Sequence, residues 1–195
     1  MEKGLIHLYY GDGKGKTTAA AGLCIRAAGN KKRVLFTQFM KNGSSGEVLL
    51  FQKIPEIDVL YGDVPCGFYS KMDAEAKKLF AGEQDKLLDT IIKEVEEEIR
   101  IAKAHNEEMI EEASAKKEIR MLLVLDEITY AYSWNLIDRE KLENLLNNRP
   151  DFLEIVMTGR NPEKFLVDAA DYVTEMKCEK HPFEKGVEAR KGVEF

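Results

Sequence analysis

Residues 10–18 read Tyr-Gly-Asp-Gly-Lys-Gly-Lys-Thr-Thr and connect the apolar run Leu5–Tyr10 to the alanine-rich run Thr17–Ala28. The three glycines of this loop permit positive φ angles and let backbone N–H groups approach a bound anion. A helix that begins beside the loop adds the positive end of its dipole. A strand, a glycine-rich loop and a helix in this order predict a phosphate-binding loop for a nucleoside triphosphate. A chance glycine- and lysine-rich surface turn is the alternative interpretation.

The side chains of the loop suit separate parts of a bound nucleotide. Lys16 is spaced to reach the β- and γ-phosphates, and Thr17 offers a hydroxyl to a magnesium ion that also ligates phosphate. A strict G-x-x-x-x-G-K-[ST] pattern requires glycine at position 10, where this chain has Tyr10, so the loop is a variant and its phosphate register stays open. We predict that a nucleoside triphosphate is bound by eight consecutive residues, Gly11, Asp12, Gly13, Lys14, Gly15, Lys16, Thr17 and Thr18; the resemblance described below implies that this nucleotide is ATP.

Length and composition narrow the class of protein. The chain has 195 residues, of which 44% are hydrophobic and 33% charged, and this predicts a globular chain with one core. No apolar run approaches the roughly 18 to 20 residues that span a bilayer, and no signal-peptide pattern is present, so we expect a cytoplasmic protein without a membrane partner. The net charge of −6 argues against a nucleic-acid-binding surface. Cys24, Cys66 and Cys178 lack C-x-x-C spacing and are expected to be reduced thiols.

Short apolar runs alternate with helical or loop-like sequence along the whole chain. The six runs are Leu5–Tyr10, Val34–Phe39, Ile57–Tyr61, Met121–Leu125, Leu153–Thr158 and Tyr172–Met176. This rhythm is typical of βα units, and the near-continuous apolar strands indicate a mostly parallel sheet with helices on both faces. We therefore predict an α/β fold of the P-loop NTPase-like kind, formed by residues 1–195 as one nucleotide-binding domain.

Two further segments stand apart from this pattern. Residues 73–118 form a long charged helical segment with one apolar stripe, for which Gly82 and residues 104–106 are candidate breaks. A solvated amphipathic helix is the simpler interpretation, and a partner-binding or coiled-coil surface is the alternative. Residues 179–195 lack any clear period and contain two glycines and a proline. We expect them to form an ordered tail or a loop over a site.

Acidic residues follow one of the apolar runs directly. Asp126 and Glu127 come after Met121–Leu125, so both carboxylates are predicted at the carboxyl end of a buried strand, where ligands of open α/β sheets collect. A carboxylate at this place holds magnesium directly or through water, and with Thr17 these two residues are the predicted metal ligands. Which of the two carboxylates contacts the metal directly stays open.

Two arginines are candidate phosphate ligands. Arg160 follows Leu153–Thr158, and its forked guanidinium suits two phosphate oxygens at once. A surface arginine in a strand-to-helix loop is the alternative for this residue. Arg26 lies in the predicted first helix and is a candidate contact to phosphate or to another subunit.

Several segments carry a resemblance to a known family. They are residues 11–20, Phe39-Met40-Lys41 with Gly46-Glu47, Leu125-Asp126-Glu127, residues 158–162, residues 170–176 and the tail from Gly186-Val187 to Gly192-Val193-Glu194-Phe195. In this order, and over nearly the whole chain, they closely resemble the corrinoid adenosyltransferase family of P-loop type. The resemblance implies that Co(I) of a reduced corrinoid attacks the 5′ carbon of ATP and expels triphosphate, as in adenosylcobalamin formation.

The resemblance also assigns roles to individual residues and implies partners. Lys16 and Arg160, together with Mg²⁺, would stabilise the charge that develops on the triphosphate, and these two are the predicted catalytic residues. The family places aromatic residues near the corrin face in a Gly-Phe-x-Trp stretch, which here reads Gly67-Phe68-Tyr69-Ser70. Phe68 is therefore the predicted corrin contact, and Ser70 replaces the tryptophan. A homodimer and an electron-donating reductase partner are expected from the same resemblance.

The sequence leaves two other functions open. An ATP hydrolase or phosphoryl transferase of P-loop type would use Glu127 to orient the attacking group and would release ADP or phosphate. A nucleotide- or corrinoid-binding protein without turnover is the second alternative, for which the serine at position 70 leaves room. The single tryptophan, Trp134, is expected to be a packing or subunit-interface residue.

Overall fold

A six-stranded parallel sheet organises the part of the chain that is described by the computed structural model, namely residues 3–62, 69–108 and 119–193. The strands are β1 (Ile6–Tyr10), β2 (Arg33–Gln38), β3 (Ile57–Tyr61), β4 (Met121–Asp126), β5 (Leu153–Gly159) and β6 (Tyr172–Glu175). The helices are α1 (Lys16–Gly29), α2 (Gly46–Phe51), α3 (Ala74–Glu108), α4 (Ile128–Ser133), α5 (Arg139–Asn147) and α6 (Lys164–Ala169). Short 3₁₀ turns occupy Tyr69–Lys71 and Pro182–Lys185.

The strand order β3-β2-β4-β5-β1-β6 decides which loops become neighbours. Every strand pair is parallel, so all carboxyl ends lie at one edge of the sheet. The chain passes from β1 to β2 across two intervening strands, and this opens a crevice between the ends of β1 and β2. The loop after β1 therefore lies beside the ends of β4 and β5, although residues 16 and 126 are far apart in the sequence.

Helices cover both faces of the sheet and form two buried cores. One core contains α1 and α2, represented by Ala20, Cys24 and Phe51. The other contains residues of α3, α4, α5 and α6 against the opposite face. The predicted α/β fold with helices on both faces is confirmed, and each predicted strand matches an observed one to within one residue at either end.

The first helix packs closely because its buried positions are small. Ala20, Cys24 and Ala28 recur every four residues and lie against the sheet. Burial raises the pKa of the Cys24 thiol to about 12, so this thiol is unreactive near neutral pH. Cys178 is a free thiol as predicted, and Cys66 lies outside the described residues.

The charged segment forms one continuous helix over its described part. Helix α3 has 35 residues, and the candidate breaks at Gly82 and at residues 104–106 are wrong, because the helix runs through both. Its buried stripe, which includes Phe80, Leu88 and Ile91, is continuous with the core and keeps the turns around Gly82 helical. Arg33 of β2 ties the helix down through ion pairs to Glu94 and Glu98. No helix among the described residues is long and apolar enough to cross a membrane.

Candidate functional site

The loop between β1 and α1 is folded tightly against the end of β6. The Gly13 N–H donates to the Met176 carbonyl at 2.7 Å. A Cβ atom at Gly11 would lie 2.4 Å from the Met176 carbonyl oxygen, and one at Gly13 would lie 2.7 Å from the carbonyl oxygens of Met176 and Lys177. Gly11 and Gly15 both have φ of 117°, which disfavours any residue with a side chain. The glycines are thus required both by backbone angle and by close approach.

The start of α1 leaves donors available to an anion. Gly15 occupies the N-cap position, and no side chain of the described residues caps the helix. The first N–H groups of a helix lack partners inside the helix, so an uncapped start favours phosphate. The Lys16 side chain is 7% exposed, and its Nζ donates to the Gly13 carbonyl at 2.8 Å beneath the loop. Burial, followed by the charge of Arg160, lowers the pKa of Lys16.

A fully buried carboxylate lies next to the loop. Asp126 at the end of β4 is 0% exposed and accepts four hydrogen bonds from side chains. Its Oδ1 accepts from the hydroxyls of Thr17 at 2.9 Å and Thr158 at 2.6 Å. Its Oδ2 accepts from Gln38 Nε2 at 3.3 Å and Lys41 Nζ at 2.7 Å. The strand order brings these donors together from α1, β2, β5 and the loop after β2.

Glu127 presents a second carboxyl group with a different environment. Its backbone φ of 61° turns the chain sharply at the start of α4, and its N–H donates to the Thr158 hydroxyl at 2.9 Å. Its Oε2 atom is buried without a hydrogen-bond partner among the described residues. Burial, with a further contribution from Asp126, raises the pKa of Glu127, while the charges of Lys41, Lys16 and Arg160 oppose that shift. The unpartnered oxygen is therefore within the field of the loop's cations.

The residues at this point fit a magnesium ion. Mg²⁺ binds oxygen ligands and usually takes one or two from the protein, with the rest from phosphate and water. The Thr17 hydroxyl and the Asp126 carboxylate are 2.9 Å apart, and Glu127 adds an unpartnered carboxyl oxygen. Among the described residues there is no cluster of three or more His, Cys, Asp or Glu side chains that could hold a metal ion, so phosphate and water would supply the remaining ligands.

Arg160 is brought to the same edge by the turn after β5. Gly159 has φ of 147°, and a Cβ atom there would lie 1.9 Å from Thr129 Oγ1. The Thr129 hydroxyl donates to the Arg160 carbonyl at 2.9 Å and fixes the turn. The Arg160 side chain is exposed, and its positive charge acts to lower the pKa values of both Lys16 and Glu127. Arg160 is thus available to an incoming anion at the loop.

Arg26 is not brought to the phosphate loop. It lies ten residues beyond Lys16 in α1, which corresponds to about 15 Å along the helix axis. Its side chain is exposed and lines a separate cavity with Lys32 and Glu154. The prediction that Arg26 binds phosphate therefore gains no support, because the helix carries this side chain away from the loop.

Cavities open on the loop beside both Thr17 and Lys14. The larger one has a volume of about 730 Å³ and is lined by Thr17, Thr18, Lys41, Glu47 and Val193, among others. A second, of about 420 Å³, is lined by Gly13, Lys14 and tail residues 177–182. The tail crosses the loop, since Lys14 Nζ donates to the Val193 carbonyl at 2.9 Å and the Cys178 N–H donates to Asp12 at 3.2 Å. Over its described part, the predicted tail of residues 179–195 thus contacts the loop at Val193.

An aromatic cluster lies between the start of α3 and the end of α4. The rings of Tyr69 and Trp134 are stacked with centroids 5.0 Å apart, and Tyr130 lies 4.9 Å from Trp134. Trp134 thus packs against neighbours as predicted, yet 43% of it remains exposed. Phe68, the predicted corrin contact, and the Ser70 side chain lie outside the described residues.

Sequence reasoning did not assign Gln38, Lys41 or Thr158 to the site. Each is polar and lies at or just beyond the end of an apolar strand, which is the signal that identified Asp126. Gln38 is fully buried, and its Oε1 has no partner among the described residues, so this amide oxygen is also available to a ligand. All three side chains contact the Asp126 carboxylate.

Comparison with known proteins gives a consistent result over the full chain. Residues 2–195 match the family model described as ATP:corrinoid adenosyltransferase BtuR/CobO/CobP. Among curated relatives, the corrinoid adenosyltransferase of Sinorhizobium sp is 36% identical over 100% of this chain and 81% of its own length. The corrinoid adenosyltransferase of Pseudomonas aeruginosa is 32% identical over 100% of this chain and 85% of its own length.

A solved structure, EssC (ATPases 2 and 3) from Geobacillus thermodenitrificans, is 15% identical with a TM-score of 0.54. It covers 97% of this chain, which spans 35% of the EssC chain, and the likeness shows the fold alone. The family model and the relatives, which match this chain over its whole length, agree with the family that the sequence motifs resemble. The chain belongs to the ATP:corrinoid adenosyltransferase family.

Proposed function

We propose that this chain transfers the 5′-deoxyadenosyl group of ATP to the Co(I) centre of a reduced corrinoid and releases triphosphate. The observation that carries the proposal is the phosphate loop with Lys16 beneath it and Arg160, Asp126 and Thr17 around it. Membership of the adenosyltransferase family selects adenosyl transfer among the reactions that such a loop supports.

The reaction makes limited chemical demands on the protein. The cobalt electron pair forms the bond to the 5′ carbon, and the carbon–oxygen bond breaks with its electrons passing to the triphosphate oxygen. No protein nucleophile is required, so the residues act by positioning and by charge. Lys16 and Arg160 neutralise the developing charge on the triphosphate, while the N–H groups at the start of α1 donate to its oxygens.

Thr17 and Asp126 are the residues that would hold magnesium, and Glu127 would reach it directly or through water. When bound, magnesium neutralises charge on the triphosphate. Thr158 keeps both acidic residues oriented, because its hydroxyl donates to Asp126 and accepts from the Glu127 N–H. The loop residues from Gly11 to Thr18 wrap the phosphates, and the tail over Lys14 and Asp12 limits access of water.

Contacts to the corrinoid and to other proteins belong to the same proposal. Phe68 remains the proposed corrin contact on the basis of the family motif. Homodimerisation is supported by the outer strand β6, whose four residues are all exposed, including Tyr172 at 51%. An electron-donating reductase that supplies the reduced corrinoid and a cytoplasmic location are further proposals that the family membership motivates.

ATP hydrolysis is the second candidate, and one observation favours it. The unpartnered Oε2 of Glu127 lies close to the loop's cations, where a hydrolase would orient an attacking water. The two reactions differ in their products: adenosyl transfer releases triphosphate and requires a corrinoid, whereas hydrolysis releases ADP and phosphate without one.

The test is anaerobic incubation of the purified protein with Mg-ATP, with and without a chemically reduced Co(I) corrinoid. Corrinoid absorption reports the cobalt–carbon bond, and ion-exchange chromatography identifies the phosphate product. We expect a light-sensitive adenosylcorrinoid and equimolar triphosphate only when the corrinoid is present. ADP and phosphate at equal rates in both samples, without an adenosylcorrinoid, would establish hydrolysis. A cobalamin and a precursor without the lower nucleotide, assayed in parallel, give the corrinoid preference.

A further inference from the structure

Lys41 is the charged donor among the four that surround Asp126. Its Nζ lies 2.7 Å from Asp126 Oδ2 and 3.4 Å from Thr17 Oγ1. These two groups are the oxygen ligands proposed for magnesium. The Lys41 ammonium and a divalent cation would therefore contact the same carboxylate and the same hydroxyl.

Two cations at this position would repel each other at short range, with one buried carboxylate between them. The Asp126 carboxylate is fully buried, so its charge is screened little by solvent and is stabilised by a cation at close contact. Thr158 and Gln38 are neutral donors that compensate it only in part. Binding of Mg²⁺ at Asp126 thus favours departure of the ammonium, and departure of the ammonium favours binding of Mg²⁺.

The backbone at Lys41 is fixed, while its side chain is able to rotate. The Met40 N–H donates to Gln84 Oε1 at 2.9 Å, and Gly43 packs so closely on the Tyr61 ring that a Cβ atom would lie 2.3 Å from it. The Lys41 side chain is 33% exposed and lines the 730 Å³ cavity with Thr17 and Thr18. Rotation of the side chain therefore takes the ammonium from the carboxylate into the cavity beside the phosphate loop.

We propose that Lys41 and the magnesium of Mg-ATP exchange at Asp126. Before nucleotide binds, the Lys41 ammonium neutralises the buried carboxylate; when Mg-ATP binds, the ammonium moves to the triphosphate and contacts the leaving group. Lys41 is then a catalytic residue in addition to Lys16 and Arg160. This inference rests on the proposed Mg-ATP site. It adds Lys41 as a further source of positive charge on the triphosphate.

Two variants of Lys41 separate charge from hydrogen bonding. Lys41→Gln removes the charge and retains a donor for Asp126, whereas Lys41→Arg retains the charge. Lys164→Gln, at an exposed lysine paired with Asp168 in α6, is the control for loss of a surface charge. The first measurement is the melting temperature of each purified chain at increasing MgCl₂ without nucleotide or corrinoid.

We expect Lys41→Gln to need about tenfold less Mg²⁺ than the wild type for the half-maximal rise in melting temperature, because the competing charge is gone. Lys41→Arg and Lys164→Gln should match the wild type. An unchanged or weaker response of Lys41→Gln would overturn the exchange. If Lys41→Gln does not fold, Lys41→Ala, which also removes the competing charge, takes its place: a roughly tenfold lower Mg²⁺ requirement supports the exchange, and an unchanged or weaker response contradicts it.

The second measurement is the rate of triphosphate release with Mg-ATP and Co(I) corrinoid. Lys41→Gln should lower kcat at least tenfold without changing KM for the corrinoid, and Lys41→Arg should recover most of the loss. A lower kcat in both variants to the same extent would indicate a structural role. The Mg²⁺ dependence of the melting temperature is measured without corrinoid. It therefore tests the exchange at Asp126 even if the wild type hydrolyses ATP.

Discussion

Thr158 connects the two acidic residues of the site, and its replacement by valine gives the most direct test of how the site is held together. The hydroxyl donates to Asp126 Oδ1 at 2.6 Å and accepts from the Glu127 N–H at 2.9 Å. Thr158 is 0% exposed. Valine has nearly the same shape and β-branching, so Thr158→Val removes these two hydrogen bonds without opening a cavity.

The expected cost follows from the two lost bonds. A hydrogen bond to a charged group contributes about 1.5 to 3 kcal/mol, and a buried N–H left without a partner costs about 1 to 3 kcal/mol. Asp126 keeps donors from Thr17, Gln38 and Lys41, which compensate part of the loss. We therefore expect Thr158→Val to lower the free energy of unfolding by about 3 kcal/mol, a large share of the ~5 to 15 kcal/mol typical of a domain.

Thr37→Val is the matched control. Thr37 is also fully buried in a neighbouring part of the sheet, and its hydroxyl donates to the Val124 carbonyl at 2.7 Å. This substitution loses one neutral hydrogen bond and should cost about 1 kcal/mol. Urea denaturation of both variants, followed by circular dichroism at neutral pH, measures the difference, which we expect to be about 2 kcal/mol.

Equal costs for the two variants would refute the reasoning. Such a result would mean that the Thr158 hydroxyl contributes no more than an ordinary sheet hydroxyl, and that Asp126 and Glu127 keep their positions without it. A change of the denaturant slope in only one variant would indicate an altered unfolded or native state, and the comparison would then be repeated by calorimetry.

Two further predictions concern the loop and the second carboxyl group. Gly13→Ala places a Cβ atom 2.7 Å from the carbonyl oxygens of Met176 and Lys177, so this substitution should separate the loop from the end of β6. We expect it to weaken Mg-ATP binding by more than tenfold, measured by isothermal titration calorimetry. Wild-type affinity would contradict the requirement for close approach at this glycine. The pKa of Glu127 is raised by burial, so the folded chain binds a proton more tightly than the unfolded chain and stability falls as pH rises through the interval above about 4.5. Glu127→Gln should therefore stabilise the chain at pH 8 and lose that advantage below pH ~4.5, measured by urea denaturation; a gain that does not vary with pH would point to a cause other than ionisation.

Local patterns were sufficient to predict the elements of the fold. The central strands β4 and β5 read as nearly continuous apolar runs, because the residues on both faces of the sheet are buried there. The glycines of the phosphate loop also indicated their structure locally, because the positive φ angles of Gly11 and Gly15 disfavour residues with side chains. The failures arose where packing overrides propensity. Gly82 does not break α3, because the apolar stripe on either side continues into the core.

The sequence by itself determined the strands, the phosphate loop with Lys16 and the placing of Asp126, Glu127 and Arg160 at strand ends, because these depend on residues that are close along the chain. Only the tertiary structure decided that Gln38, Lys41 and Thr158 converge on Asp126. That convergence depends on β2 and β5 flanking β4, a pairing fixed by burial of the whole sheet and invisible to local periodicity.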